Sequence, residues 1–412
     1  MKKQNIYKII MLVILAITIT FMLTTMVMYN KFSKAYENNY SGINGSSSSD
    51  NKGDLTEISL IKTLESFKTM LNQKYIGEID EEKMLESAIK GYVEGLGDPY
   101  TEYLTKEEMS DFMEETNAEY VGIGVYLTEN KTDNTILVVG VMKNSPALEA
   151  GMQEGDVITK VNDVAYTGED IDEAIKIMKG QEGTNVKVTI LRDGKEIELD
   201  VQRKKINVEH VSSQMLENNI AYIQIDSFDS SVAESFKNQI TELRNGGATK
   251  IIIDLRSNGG GIVTEATEIA ELFLEKGETI LITKGKKDKE ELTTSEKDPI
   301  IKDIPVVVLV NEGTASASEI LAGALKDKYE NTTIVGKTTY GKGVIQTLYN
   351  LSDGSGLKIT TEEYYTPNHK KINKEGIKPD VEVDLTKDAN GYYETGIDKD
   401  AQLLKAIEIL KK

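Results

Sequence analysis

An uncharged, mostly apolar run of 21 residues, from Ile9 to Tyr29, is the first hydrophobic pattern along the chain. As a helix that rises about 1.5 Å per residue, the run reaches roughly 31 Å, enough for a bilayer core of about 30 Å. Lysines precede it, so we expect the N-terminus inside and the bulk of the chain outside. The pattern predicts a signal-anchor transmembrane segment over residues 1–30, with single-pass attachment to the cell membrane. A cleaved signal peptide is the alternative.

Two further changes of pattern follow. Residues 31–54 lack apolar periodicity and are rich in Ser, Gly and Asn, which predicts a flexible linker. Residues 55–116 carry apolar side chains at helical spacing, beginning with Ile58, Ile61 and Leu64, and predict a small helical region. Its amphipathic pattern, like that of the C-terminal helix, fits a homodimer interface and packing within one chain equally well.

Short strands and Gly-rich turns around one helix, near 169–179, characterise residues 117–205. A short loop motif and the later run NSPALEAGMQEGDVITKVND together resemble a PDZ domain. The resemblance implies that backbone N–H groups of the loop bind the terminal carboxylate of a protein, while its tail adds as a strand beside residues 125–127. The loop consists of Gly122, Ile123, Gly124 and Val125.

From residue 206 to residue 412, apolar strands alternate with helices. Such alternation predicts an α/β core with a largely parallel sheet. Ligands of such cores usually bind at the carboxyl ends of the strands. Three small-residue loops fall there: SNGGG (257–261), GTASAS (313–318) and TTYGKG (338–343).

Composition narrows the chemistry that these loops can perform. The net charge of −20 and the absence of a Lys/Arg cluster exclude a nucleic-acid binder. Cysteine is absent, so disulfides, thiolate nucleophiles and Cys-based metal sites are excluded. His210 and His369 are the only histidines, which rules out a His-rich zinc site and leaves few partners for a Ser-His-Asp triad. No metal or organic cofactor is implied.

Each loop has an ordinary interpretation beside a catalytic one. The glycines converge on an anion or simply form a tight turn. Ser316 and Ser318 offer an exposed nucleophile or a helix N-cap. Lys342, between two glycines, is a solvated turn residue or, if burial lowers its pKa by about 3 units, a general base. Lys342 and Gln346 lie about 13 Å apart on a fully extended strand, too far for direct contact unless the strand bends or the glutamine reaches back.

The combination of motifs, rather than any single loop, indicates which family the chain resembles. AYIQIDSF, DLRSNGGG, GTASASEILAGAL, TTYGKGVIQ and GIKPD occur in the usual order of the C-terminal processing (tail-specific) peptidases, which the chain resembles over residues 55–412. The resemblance implies a crotonase/Clp-like α/β peptidase core with an inserted PDZ-like domain. It also implies a serine endopeptidase that acts on proteins or peptides with accessible C-termini. The implied site residues are Ser316 as nucleophile, Lys342 as general base, Gln346 as its orienting residue, and the N–H groups of Gly261 and Ala317 as the oxyanion hole.

Two features leave alternatives open. Relatives commonly carry an arginine near the end of the PDZ helix that helps to align the active site, and Lys179 occupies that position, so coupling through it is a weaker expectation. A catalytically silent or gated PDZ scaffold is the main rival function. An acyl-CoA-type enzyme on a crotonase-like core is a remote third, because it needs neither the PDZ insertion nor the Ser-Lys pair.

Overall fold

The computed structural model describes residues 57–287, 289–386, 396 and 398–411. The apolar run at 9–29 lies outside these residues. Within the described ranges, no helix combines the length and hydropathy that a membrane span requires.

The chain separates into two compact units, residues 1–80 and 81–412, and each is described by itself. The first unit contributes one described helix, α1 (Glu57–Lys74). Its apolar side chains recur at helical spacing and are largely exposed, for example Ile61 and Phe67.

Three elements open the second unit: α2 (Glu81–Glu94), β1 (Glu102–Leu104) and α3 (Lys106–Asn117). Helix α3 begins with a capping box, in which the Glu108 N–H donates to Thr105 Oγ1 at 3.3 Å and the Thr105 N–H donates to Glu108 Oε2 at 2.8 Å. The helices agree with the predicted helical region, whereas β1 was not predicted from the sequence.

A PDZ-like fold follows between two antiparallel strands, β2 (Glu119–Gly122) and β9 (Lys204–Asn207). Its sheet has the order β3-β4-β5-β7-β8, with β6 paired to β5. Alternate residues of these strands, among them Ile136, Val138 and Ile158, pack into a separate apolar core. The elements are β3 (Val125–Asn130), β4 (Thr135–Val141), α4 (Pro146–Glu149), β5 (Val157–Val161), β6 (Val164–Ala165), a 3₁₀ turn (Gly168–Asp170), α5 (Ile171–Met178), β7 (Asn185–Arg192) and β8 (Lys195–Gln202).

The remaining chain builds the α/β core, whose main sheet has the order β10-β11-β12-β15-β16-β19. Strands β11, β12, β15, β16 and β19 run parallel, and only β10 is antiparallel to its neighbour, so the predicted largely parallel sheet is confirmed. These strands are β10 (Val211–Leu216), β11 (Ile220–Ile225), β12 (Lys250–Asp254), β15 (Val306–Val310), β16 (Thr332–Gly336) and β19 (Val381–Glu382).

Helices cover both faces of this sheet. Those on one side bury one apolar face against strand residues such as Ile223 and Val308, and α9 closes the other side over Val307 and Leu309. The helices are α6 (Val232–Asn245), α7 (Val263–Glu271), α8 (Ala317–Lys328) and α9 (Ala401–Leu410).

A second, antiparallel sheet joins distant parts of the chain in the order β1-β18-β13-β14, with β17 also paired to β18. Strand β1, from the N-terminal region, pairs with β18 along residues 102–104 and 356–358. The segment before the PDZ-like fold is therefore built into the core. Its other strands are β13 (Thr279–Gly285), β14 (Glu290–Thr294), β17 (Val344–Asn350) and β18 (Gly356–Tyr365).

Candidate active site

The three small-residue loops lie at one edge of the main sheet. They follow β12, β15 and β16, which are parallel neighbours, so their carboxyl ends lie side by side. The grouping predicted from the sequence is therefore confirmed for the loops.

Ser316 occupies a tight turn between β15 and α8, with φ 56° and ψ −119°. A residue other than glycine is strained in this region, and such strain must be held by the surrounding structure. Sharp strand-to-helix turns of this kind present a hydroxyl at the end of a sheet. The serine is the N-cap residue of α8, which begins at Ala317.

The expectation that Ser318 caps this helix is wrong. Ser318 is already inside α8, is fully buried, and donates its Oγ to the carbonyl oxygen of Asn258 at 3.1 Å. The Ala315 N–H donates to the same carbonyl at 3.0 Å. Two bonds thus tie the Ser316 turn to the glycine loop, and the small side chains between them permit this close approach.

The glycine loop packs directly against the turn. A Cβ at Gly260 would lie 2.7 Å from the Ser316 Cβ and 2.9 Å from the Ala317 nitrogen, and one at Gly261 (φ 138°) would clash with the Phe228 carbonyl oxygen. Neither the Gly261 nor the Ala317 N–H donates a hydrogen bond to another described residue. Both groups remain available for an external acceptor beside Ser316.

Glu319 joins the Ser316 turn to the loop that carries Lys342. Its carboxylate is fully buried and accepts from the N–H groups of Ser316 (2.9 Å), Gly341 (2.8 Å) and Lys342 (2.9 Å), and from the Thr339 hydroxyl at 2.5 Å. Burial raises the pKa of Glu319 above its usual value, although the four hydrogen bonds oppose this effect.

Tyr364 makes a second connection between the same two loops. Its hydroxyl donates to the carbonyl oxygens of Ser316 at 3.0 Å and Lys342 at 2.5 Å. The side chain is completely buried, and burial raises its pKa well above the usual value, which keeps the phenol protonated. The backbones of Ser316 and Lys342 are thus clamped by two buried side chains.

Lys342 is half-buried, and burial lowers the pKa of its amine below the usual value. The positive charge of Lys358 lowers this pKa further, whereas Asp98, Glu102 and Glu319 act in the opposite direction. A depressed lysine pKa is the property that a general base near neutral pH requires.

Gln346 lies on β17 and does not hydrogen-bond Lys342 within the described part of the chain. Its amide instead donates to Thr360 Oγ1 on the paired strand β18 at 3.3 Å. The register shift between Ile345 and Gln346 leaves the glutamine facing that strand. Its predicted orienting role stays a prediction, and any such effect acts through neighbouring residues.

The predicted peptide-binding loop borders an apolar cavity of about 130 Å³ between β3 and α5. The cavity is open and lined mainly by apolar side chains, as the binding of an apolar tail residue requires. The Lys179 amine lies at one end of α5, 2.8 Å from Glu114 Oε2 and 5.4 Å from the Tyr120 ring centroid. The lining residues are Tyr120, Gly122, Ile123, Gly124, Val125, Leu127, Ile175, Met178 and Lys179.

Comparisons with known proteins bear on the same regions. "Peptidase family S41" matches residues 219–383, "PDZ domain" matches 137–192, and "Activating protease CtpB N-terminal domain" matches 16–108. A "Probable CtpA-like serine protease" of Staphylococcus aureus (strain COL) is 39% identical over 334 residues, which cover 81% of this chain and 66% of the relative. A protein with the same description from Staphylococcus epidermidis (strain ATCC 12228 / FDA PCI 1200) is 37% identical over 354 residues. The match covers 84% of this chain and 71% of the relative. The chain belongs to peptidase family S41.

Family membership makes the chain a serine-type peptidase with a PDZ domain, and the predicted resemblance to C-terminal processing peptidases is confirmed. Among solved structures, a "Putative S41 protease" of Bacteroides fragilis NCTC 9343 has a TM-score of 0.51 at 17% identity, over 82% of this chain and 92% of that one, and shares the fold. The photosystem II D1 C-terminal processing protease has a TM-score of 0.47 at 28% identity. That match covers 81% of this chain and 89% of the other.

Sequence reasoning about this S41 peptidase missed the linking roles of Glu319 and Tyr364. Glu319 had a visible signal, because Ser316 and Glu319 have the spacing of a capping box, S-x-x-E, in front of an apolar helix. Tyr364 had none, since only the pairing of β18 with β13 and β17 brings it beneath the two loops.

Proposed function

We propose that the chain is a membrane-tethered, extracytoplasmic serine endopeptidase that recognises protein C-terminal tails and cleaves peptide bonds with Ser316 and Lys342. The main support is that two buried side chains, Glu319 and Tyr364, join the Ser316 turn to the Lys342 loop. An incidental serine and a solvated lysine would not need this shared support.

The proposed reaction begins with transfer of the Ser316 hydroxyl proton to the neutral amine of Lys342 as Oγ attacks the substrate carbonyl carbon. The carbonyl π bond breaks, and its oxygen becomes an oxyanion that accepts from the N–H groups of Gly261 and Ala317. Collapse of this intermediate expels the amine, which takes the proton from Lys342. Water then attacks the acyl-enzyme, again with Lys342 as base, and releases the carboxylic acid and the free serine.

Gln346 completes the proposed set as an orienting residue. Its contact with Thr360 supports an indirect role, through the strand that flanks Lys342. No metal or organic cofactor enters this proposal.

Substrate recognition is assigned to the PDZ-like groove. Backbone N–H groups of the loop Gly122–Val125 would receive the terminal carboxylate, and the apolar cavity would receive the last side chain of the tail. Proteins with exposed, poorly structured and apolar C-termini are the substrate class that fits.

Cleavage of an unfolded protein such as β-casein by the full-length chain, in mild detergent with and without EDTA, tests the catalytic assignment. We expect Ser316→Ala and Lys342→Ala to lower the rate at least about 10³-fold, and EDTA to have no effect. Ser352→Ala, which removes an exposed serine from the turn between β17 and β18, is the control and should retain cleavage. Cleavage by folded Ser316→Ala would refute the assignment of Ser316 as the nucleophile. An inert wild type that binds tail peptides would favour the scaffold function.

The tether is tested separately on the intact chain expressed in cells. We expect the protein to stay with membranes after alkaline carbonate extraction, and we expect deletion of residues 9–29 to release it. Release of the intact chain by carbonate would contradict the proposed span.

A further inference from the structure

The amine of Lys342 faces an aromatic ring from a distant part of the sequence. Lys342 Nζ lies 4.8 Å from the ring centroid of Tyr100, within the range of a cation–π contact. Tyr100 belongs to the turn between α2 and β1, ahead of the PDZ-like fold, and is itself only partly exposed.

Hydrogen bonds fix the turn that carries Tyr100. Asp98 accepts from the Tyr100 N–H at 3.3 Å and from Thr101 Oγ1 at 2.5 Å. Burial works to raise the pKa of Asp98, but these and further hydrogen bonds hold it below the usual value, so the carboxylate stays charged. The turn therefore has a defined conformation that fixes where the ring is held.

The same turn is attached to the strand beside the active site. The Thr360 N–H of β18 donates to Thr101 Oγ1 at 3.0 Å, and Thr360 Oγ1 accepts from Gln346 Nε2 at 3.3 Å. A continuous path of hydrogen bonds thus runs from Gln346 through Thr360 and Thr101 to the turn that holds Tyr100. The contact between the Tyr100 ring and the Lys342 amine then connects this path to the lysine, without a direct contact between Gln346 and Lys342.

We propose that Tyr100 is a positioning residue for the lysine base: its ring covers the Lys342 amine and holds it, shielded from water, beside the Ser316 turn. The inference rests on the proposed function of Lys342 and adds a residue outside the Ser-Lys-Gln set. Gln346 then acts by supporting the strand and turn that carry this ring.

The ring has two opposing effects on the proton affinity of the amine. Its π face favours the ammonium by a cation–π attraction that is worth less than one pKa unit at a partly exposed site. Exclusion of water disfavours the ammonium, and burial is the largest influence on the Lys342 pKa. The shielding effect is the larger one, so removal of the ring should raise the Lys342 pKa. The other charged groups that act on the Lys342 amine are Asp98, Glu102, Glu319 and Lys358, and Tyr340 interacts with the Tyr100 hydroxyl.

Enzyme kinetics on the full-length protein provide the first test. In Tyr100→Ala, we expect kcat/KM at neutral pH to fall about tenfold and the acid limb of its pH profile to move up by roughly half to one unit. Tyr100→Phe keeps the ring and should restore the acid limb to its wild-type position. Tyr92→Ala removes an exposed tyrosine of α2 and is the control for loss of a tyrosine from this region. An unmoved acid limb in Tyr100→Ala would overturn the proposal.

Chemical labelling separates this inference from the proposed catalysis. In the Ser316→Ala background, the rate of amine acetylation at Lys342 is followed against pH by mass spectrometry, with exposed Lys297 as internal reference. We expect the half-point for Lys342 to lie below that for Lys297 and to rise in Tyr100→Ala but not in Tyr100→Phe. An unchanged half-point refutes the role of Tyr100 even if Lys342→Ala is inactive, whereas an active Lys342→Ala refutes the base assignment itself.

Discussion

Glu319 shows how one buried side chain can fix the relative position of the Ser316 turn and the Lys342 loop. Its two carboxylate oxygens accept four hydrogen bonds, three of them from backbone N–H groups of Ser316, Gly341 and Lys342. A carboxylate is acceptor-only, so it can satisfy every one of these donors at once. No neutral side chain of similar size has this property.

Replacing Glu319 by glutamine should therefore damage both stability and catalysis. The new NH₂ group would face N–H donors, and at least one buried donor would lose its partner. We expect the free energy of unfolding to fall by about 2–4 kcal/mol and kcat/KM to fall at least about tenfold, as measured by urea unfolding and β-casein cleavage. Glu312→Gln, an exposed change in the preceding loop, is the control. Unchanged kcat/KM in Glu319→Gln would mean that the two loops keep their positions without it.

Asp229 is a buried carboxyl group that makes the stability of the fold depend on pH. Burial raises its pKa to about 6, and the nearby His210, whose Nε2 is 3.4 Å from Oδ2, opposes this only in part. Oδ2 has no hydrogen-bond partner among the described residues. The folded state thus favours the protonated form of a carboxyl group that the unfolded chain ionises near pH 4.

The raised pKa of Asp229 makes the free energy of unfolding decrease as pH rises. A raised folded pKa gives stability that is full below about pH 4 and is lost as pH rises through about 6. For a shift of about two units the loss is up to about 3 kcal/mol. We expect Asp229→Asn to be more stable than wild type at pH 7.5 but not at pH 4.5 in urea unfolding, with exposed Asp226→Asn as control. Equal wild-type and Asp229→Asn stabilities at pH 7.5 would contradict this account.

At the scale of elements, the glycine loop after β12 is defined by its contact with the turn after β15. Gly259 and Gly261 differ sharply within this loop. A Cβ at Gly259 meets nothing within 4 Å, whereas one at Gly261 would clash with the Phe228 carbonyl oxygen, and Gly261 has a φ of 138°. Only one of the two glycines is required by the backbone.

The two alanine variants form a matched pair. We expect Gly259→Ala to cleave β-casein at close to the wild-type rate. Gly261→Ala must move the loop away from Phe228 and Ser316, which displaces an oxyanion donor and should lower kcat by about 10²-fold. Comparable rates for the two variants would show that the Gly261 N–H does not contact the oxyanion.

Local patterns explain why the main sheet was predictable and the second sheet was not. Strands such as β12 and β15 are near-continuous apolar runs between helices, and this pattern is visible in the sequence alone. Strand β1 is only three residues long and pairs with residues 356–358, far along the chain. Short strands that depend on such distant partners leave no local signal, so the approach of Tyr100 to Lys342 could not be predicted either.

The same limit applies to site residues. Ser316 and Lys342 lie in motifs, so the resemblance could nominate them from the sequence. The contact of Gln346 with Thr360 depends on a register shift in β17, which no residue pattern reports. The sequence motifs therefore identified Ser316 and Lys342 as candidate site residues, and the structure added the residues that support them.

At the scale of the whole molecule, the PDZ-like fold connects to the core near the active site. The N–H of Ser230 donates to the Thr116 carbonyl at 3.1 Å, next to the PDZ-like strands, and the Phe228 N–H donates to the Gly260 carbonyl at 2.9 Å. One short segment, residues 228–230, thus contacts both the end of α3, just before the PDZ-like fold, and the glycine loop. Lys176 in α5 and Lys179 just after its end also form ion pairs with Glu107 and Glu114 of α3.

Tail recognition by the PDZ-like groove makes a prediction for the intact protein. In the Ser316→Ala variant, we expect a fluorescent peptide with an apolar C-terminal residue and a free carboxylate to bind at least about tenfold more tightly than its C-terminal amide, measured by anisotropy. Introducing a charge with Ile175→Asp, in the cavity wall, should abolish the preference. Equal affinity for the acid and the amide would argue against carboxylate recognition.

The central claim is that the amine of Lys342 is the base, and the absence of cysteine allows a direct test. Lys342→Cys introduces a single thiol, which bromoethylamine converts to a lysine analogue whose amine has a lower pKa. We predict that Lys342→Cys is inactive on β-casein, that aminoethylation restores cleavage, and that the acid limb of kcat/KM then lies at lower pH than in wild type. Activity of the unmodified variant, or restored cleavage with an unmoved acid limb, would contradict the assignment of Lys342.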